Sequence, residues 1–125
     1  LVHGRRLFLG PDGRDFRGED VLEAPDEKAR ARTDRAVARS GPLAFALRFH
    51  LPPDVAETAR EEAGRVLLDL PEGAWRFSAR GGAVSLEESV FFDPEAPAPL
   101  PSRQILVSGR VADYTARVAW AFQRL

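Results

Sequence analysis

From Leu43 to Leu51 the chain alternates strictly: Leu43, Phe45, Leu47, Phe49 and Leu51 lie on one parity, with Ala44, Ala46, Arg48 and His50 on the other. A side-chain period of two belongs to a strand with one buried face, and Pro52-Pro53 ends it because proline cannot continue a hydrogen-bonded ladder. The other apolar runs are short, rich in Val, Leu and Phe, and bounded by turn residues. Leu1–Leu9 and Arg14–Glu23 form a hairpin around Gly10-Pro11-Asp12-Gly13, where Pro presets φ and Gly closes the turn. Arg65–Leu70 and Ala74–Arg80 flank Pro71-Glu72-Gly73, and a further strand runs from Ala83 towards Phe92. Gln104–Val111 and Thr115–Phe122 close the chain around Ala112-Asp113-Tyr114.

This pattern predicts an all-β fold in a single domain spanning residues 1–125, an antiparallel β-sandwich of about eight strands. Its core draws on Leu43, Phe45, Leu47, Phe49, Leu67, Trp75, Phe77, Val107 and Trp120. Pro25–Gly41 stands apart. Its Ala and Arg would tolerate helix, but Val37 is its one large apolar residue and no stripe faces a core. The expectation there is one long, mobile, charged loop. Asp54–Ala63 is expected to form a helical turn or two.

Composition narrows function by exclusion. Basic and acidic residues number 18 and 19, so charge asks for neither nucleic acid nor an anionic membrane as partner. The chain has no Cys, which removes disulfides, thiolate metal sites and a Cys nucleophile. It has no Met either, which suggests a piece of something longer. Seventeen of the basic residues are Arg, which suits bidentate carboxylate and sulfate binding but, beside so much Ala and Gly, reads first as a coding bias.

The histidines carry the chemistry that remains. Pairing Leu9 with Arg14 across the first turn sets His3 directly opposite Asp20, with Cβ atoms about 4.5–5.5 Å apart. A bulge at Gly13 would slip that register by one. Such a pair is half of a metal site, and also an ordinary hydrogen bond. Arg5 and Arg6 point to opposite faces, with Glu19 or Glu23 as the expected partners. Glu87 and Glu88 are likewise split by strand alternation and read as ordinary side chains, not a catalytic pair.

Several segments, taken in order, resemble the C-terminal part of heparinase II/III-family proteins. They are Leu1-Val2-His3-Gly4-Arg5-Arg6-Leu7-Phe8-Leu9, Arg17-Gly18-Glu19-Asp20, Phe45-Ala46-Leu47-Arg48-Phe49-His50-Leu51, Trp75-Arg76-Phe77 and Val84-Ser85-Leu86-Glu87-Glu88-Ser89-Val90. Gln104–Gly109 and Val118-Ala119-Trp120-Ala121 complete the set. One departure is that Pro52 stands where the family often has a second His.

The resemblance implies an accessory sandwich packed on an N-terminal helical toroid of the same protein, facing an acidic polysaccharide that the parent cleaves by β-elimination at a uronic acid. That chemistry needs an acid, a base and a group to neutralise the carboxylate, which the family draws from Tyr, His and Asn. This chain has no Asn and a single Tyr, Tyr114, in a late turn. No catalytic residue is therefore expected here, and the chain alone should be inactive. The resemblance also implies a structural Zn²⁺ held by His3, Asp20 and His50, with water as fourth ligand. The alternative is a non-catalytic carbohydrate-binding or interaction module. Against an exposed sugar platform, both Trp75 and Trp120 alternate with apolar neighbours and should look inward.

Overall fold

The computed structural model describes all 125 residues. Nine strands form two antiparallel sheets. The larger runs β1(Val2–Leu9), β2(Asp15–Glu23), β9(Thr115–Arg124), β6(Gly73–Arg80), β5(Arg65–Leu70), β4(Arg60–Glu62), and the smaller runs β3(Ala44–His50), β8(Leu100–Arg110), β7(Ala83–Phe91). The sandwich expected from alternation is the architecture observed.

Between the sheets, Val66, Leu68, Phe77, Val118 and Trp120 from the larger meet Phe45, Leu47, Ile105 and Val107 from the smaller. Phe49 bridges the layers, with ring centroids 5.1 Å from Phe77, 4.9 Å from Trp120 and 5.9 Å from Phe122. Trp75 and Leu43 are half-buried. Leu67 is a correction: its neighbours Val66 and Leu68 are the buried pair, and Leu67 lies on the other face. Three apolar residues run together in β5, so alternation cannot choose a face. The pairing of Val66 with the buried Phe77 does.

The charged tract is also corrected, from loop to α1(Glu27–Ser40). Asp26 caps it by accepting from the Ala29 N–H at 2.8 Å, and Gly41, at φ 81°, closes the last turn onto the Val37 carbonyl. Caps and Ala/Arg propensity therefore make a helix that buries only Ala29 and Thr33. It is held at one end of the sandwich by Tyr114, whose hydroxyl donates to Asp34 at 2.8 Å, and by Arg30 stacked 5.2 Å from the Tyr114 ring. A second helix, α2(Pro53–Thr58), follows β3, and Arg103 of β8 donates to the Ala56 and Ala59 carbonyls at its end.

The first hairpin positions the candidate site. The expected turn forms, with Gly13 N–H bonded to the Gly10 carbonyl at 3.0 Å and Gly13 at φ 70°. Gly10 N–H also bonds the Asp15 carbonyl at 2.7 Å, so Arg14 belongs to the loop and Leu9 pairs with Phe16. His3 then lies opposite Leu22, and Arg5 opposite Asp20. The register differs from the expected one by two residues, and an even shift leaves every side chain on its face.

Candidate functional site

Because His3, Arg5 and Asp20 share the inward face of the β1–β2 pair, the slipped register still brings all three together. His3 Nε2 lies 2.6 Å from Asp20 Oδ1 along the diagonal, and Arg5 Nε donates to the same oxygen at 2.7 Å from directly across. The third donor comes from β9. Trp120 pairs with Gly18, lays its indole across that residue, and donates Nε1–H to Asp20 Oδ2 at 2.7 Å. Only Gly permits this, since a Cβ on residue 18 would sit 2.1 Å from Trp120 Cζ2.

The carboxylate side chain is 1% exposed, whereas His3 and Arg5 are 45% and 42% exposed. Burial pushes the Asp20 carboxyl up, but hydrogen bonds from Arg5, Trp120 and His3, together with the Arg5 charge, outweigh it and hold the group below its ordinary range. The guanidinium is itself placed over aromatic rings, 5.9 Å from Phe49 and 6.0 Å from Trp120. Asp20 thus ties β1, β2 and β9 to the aromatic centre of the core.

A carboxylate-held imidazole is the arrangement of a positioned base or of a metal ligand. For zinc the donor set must be completed, and His50 does not complete it here. Phe45, Leu47 and Phe49 point into the sandwich, so His50 stands on the outer face of the smaller sheet, exposed and paired with Gln104. Arg5 also puts a positive charge on the oxygen that a cation would use. No group of three His, Asp or Glu side chains converges anywhere in the chain. In this arrangement His3 and Asp20 are together and His50 is apart.

The other singled-out residues sort as follows. Arg5 pairs with Asp20 rather than with Glu19 or Glu23, and Glu19 is taken instead by Arg117 at 2.9 Å. Glu87 accepts from Gln104 at 3.2 Å, while Glu88, opposite Arg103, points the other way. Tyr114 is half-buried in its turn, and its hydroxyl is pushed up by the hydrogen bond and the charge of Asp34. Sequence reasoning missed Arg5 and Trp120 as partners of Asp20. The face assignment contained a signal for Arg5, but the pairing of β2 with β9, far away in the chain, did not exist until the sheet formed.

Comparison with known proteins adds the family. The family described as heparinase II/III-like, C-terminal, matches residues 1–121. A curated relative, FtsZ-localized protein C from Caulobacter vibrioides (strain NA1000 / CB15N), is 38% identical over 99 residues, covering 74% of this chain and 16% of that protein. The chain thus spans about one sixth of the relative's length. No solved structure matches. A match running through nearly every strand of the sandwich, from β1 into β9, places this chain in the heparinase II/III-like C-terminal domain family.

Proposed function

We propose that this chain is the accessory β-sandwich of a larger heparinase II/III-like protein, packing on a helical toroid that carries β-elimination of a uronate-containing polysaccharide. The observation that carries the reading is β1. Every residue of this edge strand is exposed, including Leu7, Phe8 and Leu9 at 60–65% exposure. An apolar edge of that kind invites a covering surface. The buried Asp20 network behind it stiffens the strand that would meet the toroid.

The isolated chain is expected to yield no unsaturated uronate from heparin, heparan sulfate or alginate, as read by absorbance. Adding it in trans to a parent lacking this region should restore turnover. Activity of the chain alone, abolished by Tyr114→Phe, would remove the reading.

A second reading, an interaction module without catalysis, is favoured by the relative's name, which speaks of localisation to FtsZ and not of a polysaccharide. Cosedimentation of the chain with FtsZ polymers would separate the two.

A structural zinc on His3, Asp20 and His50 is a further proposal, and it asks for rearrangement. Arg5 must leave Asp20, and His50 must come round from the outer face. Calorimetry with Zn²⁺ on the wild type and on His50→Ala checks it. Tighter binding by the wild type supports the site. Equal binding by both proteins removes it.

A further inference from the structure

Along α1 the cations recur with a helical period. Lys28, Arg32, Arg35 and Arg39 are spaced by four, three and four residues. At ~100° per residue they fall within roughly 60° of one face, in a row about 16 Å long. All four are exposed, and none has a carboxylate partner. Elsewhere Arg5, Arg17, Arg48, Arg60 and Arg117 each meet an acidic side chain. The helix carries five cations against two carboxylates, of which Asp34 is taken by Tyr114. In a chain of formal charge −1, the row is a local concentration of positive charge.

Packing alone does not explain this helix. It buries only Ala29 and Thr33. Its polar ties to the sandwich are the Tyr114 contacts with Asp34 and Arg30, and Arg30 Nε donating to the Ala24 carbonyl at 3.4 Å. The turn that supplies Tyr114 sets both Asp113 and Tyr114 in the left-handed region, at φ 52° and 66°, which glycine adopts freely and other residues at a cost. A strained turn holding a helix that buries two small residues is accounted for if the surface the helix displays is used. The row also lies away from the apolar edge assigned above to a covering domain. α1 follows the Glu23 end of β2, whereas Leu7–Leu9 sit beside the hairpin turn at the other end of that strand pair.

We infer that this row is a docking surface for an acidic helix of a partner protein. Successive cations are about 4.5–6 Å apart along the axis, and carboxylates at i, i+4, i+7 and i+11 of a second α-helix repeat with the same rise. An extended strand, whose same-face side chains recur every ~6.6–6.8 Å, falls out of register along the row. Ala31 and Ala38 flank the row on one side and Ala36 on the other, so a partner backbone can come close and the guanidinium groups can take carboxylates bidentately. A membrane-lying helix needs an apolar face beside its cations, and Val37, the one large apolar residue of α1, lies roughly opposite the row. Nucleic acid is not favoured either, because the helix has no aromatic residue for stacking and no Asn or Gln for base edges. The inference goes beyond both readings above and depends on neither.

Fluorescence anisotropy of labelled alanine-rich helical peptides added to the 125-residue chain tests this. One peptide carries Glu at i, i+4, i+7 and i+11, and its scramble disperses the same Glu residues around the helix. The first should bind, the scramble should bind at least about threefold more weakly, and added salt should weaken the first. Arg32→Gln/Arg35→Gln should weaken it roughly three- to thirtyfold. Arg32→Lys/Arg35→Lys, which keeps the charge, should retain most of the affinity, and Arg65→Gln/Arg80→Gln, exposed on the larger sheet, should leave it unchanged. Matching helical circular dichroism among the variants excludes loss of α1 as the cause, and the comparison of the two peptides on the wild type needs no variant. No binding of the first peptide, equal binding of its scramble, equal loss in the two Gln variants, or tighter binding of single-stranded DNA, heparin or phosphatidylglycerol vesicles would overturn the inference.

Discussion

Gly18→Ala is expected to destabilise the chain by about 4 kcal/mol, one of the largest effects of any single methyl addition here. The added Cβ would lie 2.1 Å from Cζ2 and 2.5 Å from Cε2 of the Trp120 indole. The ring has little room to retreat, being packed edge-on against Phe16 at 5.4 Å, Phe49 at 4.9 Å and Phe122 at 5.9 Å. Overpacking costs about 1–3 kcal/mol, and displacing the indole also weakens a hydrogen bond to a charged group worth about 1.5–3 kcal/mol. Against a total stability of roughly 5–15 kcal/mol this is a large fraction. Urea unfolding of Gly18→Ala, Trp120→Leu and the double variant measures it. The double should lose clearly less than the sum of the singles, since removing the indole frees space for the methyl. Additive losses, or a Gly18→Ala cost under about 1 kcal/mol, would mean that the indole does not lie across residue 18.

Asp20→Asn should cost about 3 kcal/mol near neutral pH. The amide keeps the size but removes the charge, and its NH₂ must face one of three donors that now have an acceptor. Removing one partner of a buried pair costs about 3–5 kcal/mol. The lower end applies because Arg5 and His3 are nearly half exposed and water can take over part of their solvation.

The pH dependence follows from the direction of the shift. The folded carboxyl titrates below its ordinary 3.8, so the unfolded chain binds more protons in the window between the folded value and 3.8. Stability therefore rises with pH across that window. The contribution of Asp20 is fully present above about 3.8 and is lost as pH falls through the folded value. The gap between wild type and Asp20→Asn should accordingly narrow in acid. A gap that stays constant from neutral pH to the acid limb would show that the carboxylate charge contributes nothing.

Much of the fold was legible because strand alternation and turn chemistry are local. The Leu43–Leu51 strand, the Gly10–Gly13 turn and the antiparallel sandwich all follow from residues near one another in the chain. Leu67 was misplaced where that signal fails, in an uninterrupted apolar run. The α1 helix was misread for a different reason. Its stability comes from the Asp26 cap, the Gly41 terminus and propensity, while the face it buries holds only Ala29 and Thr33, with no large apolar side chain to mark a packed stripe. The candidate site was half legible. The meeting of His3 and Asp20 survived a register error because the error was even, whereas His50 was carried away by the same parity that made its strand easy to recognise.

By itself, the sequence determined which residues could form strands, which face each side chain of a hairpin would take, and that no thiol chemistry could operate. Tertiary structure alone decided what Asp20 would bind. Its partners lie two positions off the simplest hairpin register and 100 residues along the chain at Trp120. A carboxylate accepts from whichever donors reach it, and that reach was set by a four-residue loop and by the β2–β9 pairing.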